Sequence, residues 1–176
     1  MRYKLVSLYR YNKAHFYTVQ LVDADLQEIA VSEFDDFQNR MDAGSLLDIS
    51  QLEVLYKMIS NIGKIYGATF EQFKREREFE RLPKATYSFL DSVVDDDDFG
   101  LRLYCLRVDK DDNNKIVILL NGCRKTAQSA QECPNCRNHF DFANRFTTAF
   151  YNSLLKDDIE IDDFDLKTEK DFYLNF

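Results

Sequence analysis

Between Phe99 and Thr126 the chain reads FGLRLYCLRVDKDDNNKIVILLNGCRKT, and this stretch constrains the fold more than any other. Leu101, Leu103 and Cys105 alternate with Arg102, Tyr104 and Leu106, the period of two that strand side chains obey. Asp109 to Asn114 is a run of turn formers with nothing apolar to bury. Ile116 to Leu120 is then continuously apolar and rich in β-branched residues, which suits a strand covered on both faces. Asn121-Gly122 ends the run, and Arg124 and Lys125 follow. The expectation is a buried hairpin with Arg102 entering one strand and Arg124 and Lys125 leaving the other. In an antiparallel pair those ends are neighbours, so the pattern predicts a positive cluster on a rigid support.

Such a cluster stands out because the whole chain carries a net charge of −8, which argues against nonspecific binding of nucleic acid by the whole surface. The charge is unevenly spread. Residues 100–153 hold 8 basic and 5 acidic side chains, whereas residues 154–176 hold 3 and 8. A mildly basic segment thus runs into an acidic tail.

At 176 residues, 45% of them hydrophobic, the chain has enough apolar material for one domain with a sizeable core. Five Gly and two Pro are too few for a Gly-rich phosphate loop or long linkers. No apolar run approaches the roughly 18 residues of a membrane span. The first residues, MRYKLVSLYRYNKAHF, scatter charge where a signal peptide needs an apolar stretch. These features point to a cytoplasmic protein with no membrane partner, in which four Cys read as reduced thiols or metal ligands rather than disulfides.

Along the chain, residues 1–14 read as a short edge strand or loose arm, and His15 to Val22 as a strand. Ser32 is a helix N-cap followed by acids, with Phe34, Phe37 and Met41 at helical spacing. Asp48 or Ser50 caps a second helix with an apolar stripe from Leu52 to Ile65, closed by Gly67. Thr69 caps a third helix from Phe70 to Phe79 with the polar face KREREFER, ended by Pro83. Ala85 to Leu90 alternates as a strand, Asp95 to Asp98 is a solvated acidic loop, and a last helix starts near Arg137. Strands and helices come in separate runs. The expected fold is therefore α+β, with an antiparallel sheet of about four strands packed by N-terminal helices and a C-terminal helix. The domain spans 1–155, and 156–176 is an acidic C-terminal extension.

Several stretches together resemble the RelE/ParE toxin superfamily, in particular its HigB-like branch. FYTVQL and SEFDDFQNRM are similar to its first strand and helix, and LEVLYKMISNIGKIYG to its second helix. FGLRLYCLRVD and KIVILLNGCRKT are similar to the strands that carry its cations, and FDFANRFTTAF to its closing helix. The resemblance covers roughly residues 15–155 and implies a RelE-like fold. It also implies the toxin component of a type II toxin–antitoxin system, or a derived member, acting as a ribosome-associated mRNA endoribonuclease. The implied partners are an antitoxin protein and the ribosome with its mRNA. The matching positions are Arg102, Arg124 and Lys125, with Tyr104 as an auxiliary phenol. Cations there would hold the scissile phosphate and stabilise its developing charge, and arginine's planar fork suits that task. The sequence departs from the pattern in three ways, the first being an acidic extension where the family has a short basic or aromatic tail. Its helices hold acids where ribosome-dependent members are rich in Lys, and no histidine is well placed for acid–base work.

An alternative reading is a non-catalytic protein-interaction module of the same fold. The acidic tail, with its interleaved apolar residues, would either cover the chain's own basic groove or remain solvated and disordered. A third reading is a small zinc-binding module. Cys133 and Cys136 have C-x2-C spacing, His139 lies three residues on, and Cys123 could be a fourth ligand. A thioredoxin-like redox role for CPNC lacks the surrounding βαβ pattern. Asp95–Asp98 lacks the glycine and terminal Glu of a calcium loop.

Overall fold

The structure is a computed structural model. It describes residues 1–84, 100–108, 115–126 and 132–176 in full, and 86–89 and 92–95 by their backbone. The turn expected at Asp109 to Asn114 and the acidic run from Asp96 to Asp98 lie outside the described residues. Among the described residues no helix is long and apolar enough to cross a membrane.

The chain is α+β, with a mostly antiparallel sheet. Strands β1 (Arg2–Arg10) and β2 (His15–Val22) form a hairpin, and helices α1 (Glu33–Asp42) and α2 (Leu46–Asn61) follow. Two short strands, β3 (Lys74–Arg75) and β4 (Glu80–Leu82), come next, then the ladder of β5 (Thr86–Phe89) and β6 (Ser92–Asp95). The central hairpin is β7 (Leu101–Arg107) and β8 (Ile116–Arg124), covered by α3 (Pro134–Leu155). A small hairpin, β9 (Ile159–Asp162) and β10 (Asp165–Thr168), and a last strand, β11 (Leu174–Asn175), complete the chain. The main sheet has seven strands in the order β11-β1-β2-β8-β7-β4-β3, more than the four expected. Every neighbouring pair in it is antiparallel except β2 and β8, which run parallel along His15–Tyr17 and Ile116–Ile118. A parallel pair needs a crossover, and α1 and α2 lie on that crossover.

The sheet is covered on both faces, which explains the unbroken apolar run of β8. Phe34, Phe37 and Met41 of α1, with Leu52, Leu55, Met58 and Ile59 of α2, pack on Phe16, Leu103, Cys105, Val117 and Leu119. On the other face Phe140, Ala143, Phe146 and Phe150 of α3 pack on Tyr17, Val19, Tyr104, Leu106, Ile118 and Leu120. The helix ends follow local chemistry. The Ser32 hydroxyl accepts from the Asp35 amide at 3.1 Å, and three acids occupy the first turn of α1. Ser45 and Asp48 form a reciprocal capping box at α2. The cap is therefore Ser45, ahead of the Asp48 or Ser50 expected, because exposed Leu46 and Leu47 hide the helix start from an apolar-periodicity reading. Gly67 ends the widened last turn, Ile62–Tyr66, at φ 77°, a conformation that favours glycine.

The clearest departure is KREREFER. In place of a helix from Phe70 to Phe79 there is one tight turn, Phe70–Gln72, and then strands β3 and β4. β4 is interior, between β3 and β7. Its charged side chains are buried by pairing, Glu80 with Arg107 and Arg81 with Glu76. Tertiary ion pairing turned a solvated-looking charge run into a core strand.

Candidate functional site

The hairpin at the centre of the sequence reading contains a β-bulge that decides where its side chains point. Leu103 pairs with Gly122 and Cys105 with Leu119, so two steps on β7 face three on β8. Before the bulge, Ile116, Ile118 and Leu120 face α3, and Val117 and Leu119 face α1 and α2. Asn121 also reaches α1, donating to Glu33 at 2.7 Å and Asp36 at 3.0 Å. After the bulge the parity flips. Cys123 joins the α3-side core, and Arg124 reaches back to α2.

Arg102 and Arg124 therefore lie on opposite faces of the sheet. Arg102 alternates with Leu101 and Leu103, which face α1 and α2, so it shares the α3 side with Tyr104. It is 3% exposed, and its guanidinium donates to the Leu101 carbonyl at 2.8 Å. Arg124 pairs with Asp48 and donates to Gln51 Oε1 at 3.2 Å. Burial pushes the Asp48 carboxyl up, but hydrogen bonds from Ser45 and Arg124 outweigh it and hold the group below its ordinary value. Arg124 thus anchors the start of α2. Lys125 is half-buried, and its amide donates to the Gly100 carbonyl at 2.7 Å. Tyr104 is fully buried and packs edge-on against Phe79 and Phe140 at 5.5 and 5.8 Å. Burial pushes its phenol well up. The adjacency read from the hairpin holds for the backbones, where Leu101 pairs with Arg124. It does not hold for the Arg102 and Arg124 side chains, which the bulge puts on opposite faces.

The cysteines differ from expectation. Cys123 and Cys136 form a disulfide between β8 and α3, so neither offers a thiolate to a metal. His139 sits apart from them electrostatically. Burial and then the Arg40 charge push it down to about 4, partly opposed by Asp36. Among the described residues no group of three or more His, Cys, Asp or Glu is arranged to hold a metal ion. Cys133 is a buried free thiol at the N-cap of α3, with Pro134 at the first helical position. Sequence reasoning missed the Cys123–Cys136 pairing. The helix starts at Pro134 rather than near Arg137, so CPNC is its N-cap and first turn, and Cys136 faces the sheet core with Cys123.

The acidic extension is neither a solvated tail nor a cover for the Arg124 end. Asp165 pairs with Arg10 and lies 3.1 Å from His15 Nδ1, and Asp163 pairs with Lys115. Those contacts are at the opposite end of β8, about 30 Å from Arg124 at ~3.3 Å per residue. Beyond them β11 pairs with β1, Leu174 is buried, and Phe176 stacks on Tyr3 at 4.8 Å. Ile159 and Leu174 are thus core, Leu166, Phe172 and Phe176 pack against it, Ile161 stays exposed, and Asp163 and Asp165 find cations at the strand ends. Ser7 Oγ, 2.7 Å from His15 Nε2, completes a serine–histidine–aspartate line. Its His15 Nδ1 also faces the Phe164 carbonyl at 2.9 Å, and Asp165 is shared with Arg10 and Tyr17, so the line pins the β9–β10 hairpin.

A pH dependence follows. The hydrogen bond from Arg10 holds the Asp165 carboxyl below its ordinary value. A depressed carboxylate contributes stability that is present above its unfolded value, about 3.9, and lost as pH falls through the folded one. Acidification from pH 6 to about pH 2 is expected to loosen β9–β10, read as a larger fall in amide protection factors there than in β7 and β8. In Asp165→Asn the hairpin should already be loose at pH 6 and change little. An unaltered exchange pattern in that variant would dismiss the pinning role.

Compared with family models, curated proteins and solved structures, the chain matches none of them.

Proposed function

We propose that this chain is a RelE/HigB-like toxin, or a descendant of one, that cuts mRNA at the ribosome and is held in check by an antitoxin protein. The observation that carries the reading is the end of the β7–β8 hairpin. There a rigid, doubly covered support brings Arg102 onto one face with Arg81, whose strand partner is Tyr104, and leaves Lys125 half-exposed at the strand exit. The order of elements also supports it: a strand, two helices on a crossover, an antiparallel hairpin and a closing helix. In this reading Arg102 and Lys125 carry the phosphate contacts, Tyr104 packs beneath them, and Arg124 holds α2. Arginine and lysine there would stabilise charge developing on a transferred phosphate.

A second reading, a non-catalytic interaction module of the same fold, is favoured by one specific observation. Arg102 is almost fully covered, and Arg124 is neutralised by Asp48 on the other face. Induction of the chain in a bacterial host separates the two. The toxin reading expects growth arrest with mRNA cut during translation. Arg102→Ala and Lys125→Ala should relieve the arrest at unchanged protein level, while Arg124→Ala should lower the protein's melting temperature. Normal growth and intact mRNA on induction, or full arrest in the Arg102/Lys125 double variant, would reject the assignment.

A further inference from the structure

Three sulfurs meet where β8 leaves the sheet. Cys123 and Cys136 are bonded, and the Cys133 sulfur lies 3.6 Å from the Arg124 carbonyl oxygen, as does the Cys136 sulfur. Both therefore sit around one backbone atom. Cys133 and Cys136 also occupy one helical turn, with the Cys136 amide donating to the Cys133 carbonyl at 3.0 Å. A disulfide needs Cβ atoms about 3.5–4.5 Å apart, closer than the roughly 5–6 Å of two residues three apart inside a helix. Cys133 is the N-cap, with an extended backbone, so its Cβ is not held at that helical spacing and can close on Cys136 while the body of α3 stays in place.

We propose that Cys133, Cys136 and Cys123 form a thiol–disulfide relay: Cys133 exchanges onto Cys136, moving the disulfide from the β8–α3 cross-link into the first turn of α3. The step balances within the chain. The Cys133 thiol gives its proton to solvent, a Cys133–Cys136 bond forms, and the Cys136–Cys123 bond breaks. Its electron pair leaves on the Cys123 sulfur, which takes up a proton, so no oxidant or reductant is consumed.

The surroundings favour each part of this step. A thiolate is the attacking form. Burial pushes the Cys133 thiol up, but hydrogen bonds from the Thr126 hydroxyl and amide, and from the Cys136 and Asn135 amides, outweigh it and leave it below its ordinary value. The helix N-terminus adds positive potential of the same sign. On the leaving side, the Tyr104 hydroxyl is 3.7 Å from the Cys123 sulfur and can donate to it as charge develops. Arg102 is the cross-strand partner of Cys123. Cys133 itself has no exposed surface. Its burial excludes bulky external partners and suits an internal one. Once moved, the disulfide lies beside exposed Pro134, Asn135 and Arg137. There it can be attacked by a dithiol reductant, which is oxidised as both cysteines become thiols. The strand exit carrying Lys125 is then no longer tied to α3. The relay does not depend on the activity proposed above.

The test uses the full chain. Protein held in a glutathione/glutathione-disulfide buffer from pH 7 to pH 9 is acid-quenched, alkylated and mapped by non-reducing peptide mass spectrometry. Both Cys123–Cys136 and Cys133–Cys136 linkages are expected, and their interconversion should quicken as pH rises. In parallel, reduction by dithiothreitol is followed in wild type and in Cys133→Ser and Cys133→Ala. Without the relay the remaining disulfide is expected to be reduced at least about tenfold more slowly. In Cys123→Ser, oxidation should give the Cys133–Cys136 linkage. A wild-type protein that shows only Cys123–Cys136 across the pH range, or no disulfide in the oxidising buffer, would overturn the proposal. The wild-type map stands even if a variant fails to fold.

Discussion

Gly122→Ala should be the most damaging single-methyl addition in the sheet. A Cβ at Gly122 would fall 2.1 Å from the Arg102 carbonyl oxygen, 2.9 Å from Phe37 Cε2 and 3.0 Å from Leu103 Cα. Two of those three atoms are backbone of the neighbouring strand, so no rotamer change relieves the contact. Gly122 is needed for close approach, since it is absent from the glycines with positive φ. Relief requires β7 and β8 to separate in the middle of a sheet packed on both faces. Overpacking a dense core commonly costs 1–3 kcal/mol, and a rigid backbone clash belongs at or beyond the upper end, about 3 kcal/mol or more. For a domain of this size that is a fall in melting temperature of roughly 6–12 °C. Urea denaturation with a midpoint within error of wild type would show that the strands do not approach so closely. A retained fold with Cys123 no longer paired to Cys136 would show instead that the bulge had been ironed out. Losing it would return Cys123 and Arg124 to each other's faces.

That same bulge marks the limit of what the sequence discloses. The hairpin itself was legible, because period-two alternation in β7 follows from strand geometry and the β-branched run in β8 from burial on both faces. Ser32, Gly67 and the aromatic stripes of α1 and α3 were legible for the same reason, being local chemistry. Asn121-Gly122 read as the end of a strand. Only the pairing with β7 shows that β8 continues through it with one extra residue, and that residue moves Arg124 to the far side of Arg102. β4 was hidden because Glu80 and Arg81 are made tolerable in the core by partners distant in sequence or in an adjacent turn. β1 was left open between a short edge strand and a loose arm by irregular alternation, and its bulge between Ser7 and Tyr9 supplies the irregularity. The tail's acids suggested a solvated segment. Its apolar residues matter only once β1 is known to be an edge that β11 can extend. In each case the missing information was a long-range pairing, which composition and period do not encode.

Arg107→Met is expected to cost about 3–5 kcal/mol, because it strips a buried carboxylate of its guanidinium partner. Arg107 and Glu80 are 6% and 7% exposed. The Arg107 Nε donates to one Glu80 carboxylate oxygen at 3.4 Å, and the Arg107 amide donates to the other at 3.2 Å. One Nη donates to the Ala68 carbonyl at 3.2 Å, and the guanidinium lies over the Phe73 ring at 5.8 Å. The pair ties β4 to β7 and borders a cleft of about 490 Å³ lined also by Phe70, Lys74 and Lys84. Because desolvation opposes the Coulombic gain, the pair as a whole contributes far less than either half-deletion suggests. The decisive measurement is therefore a cycle. Arg107→Met and Glu80→Met should each be strongly destabilising, and the double variant should recover at least half of the summed loss. Simple additivity would mean that the two groups act separately. In that case the hydrogen bond to Ala68 and the Phe73 contact, rather than charge compensation, would explain why an arginine stands in this core strand.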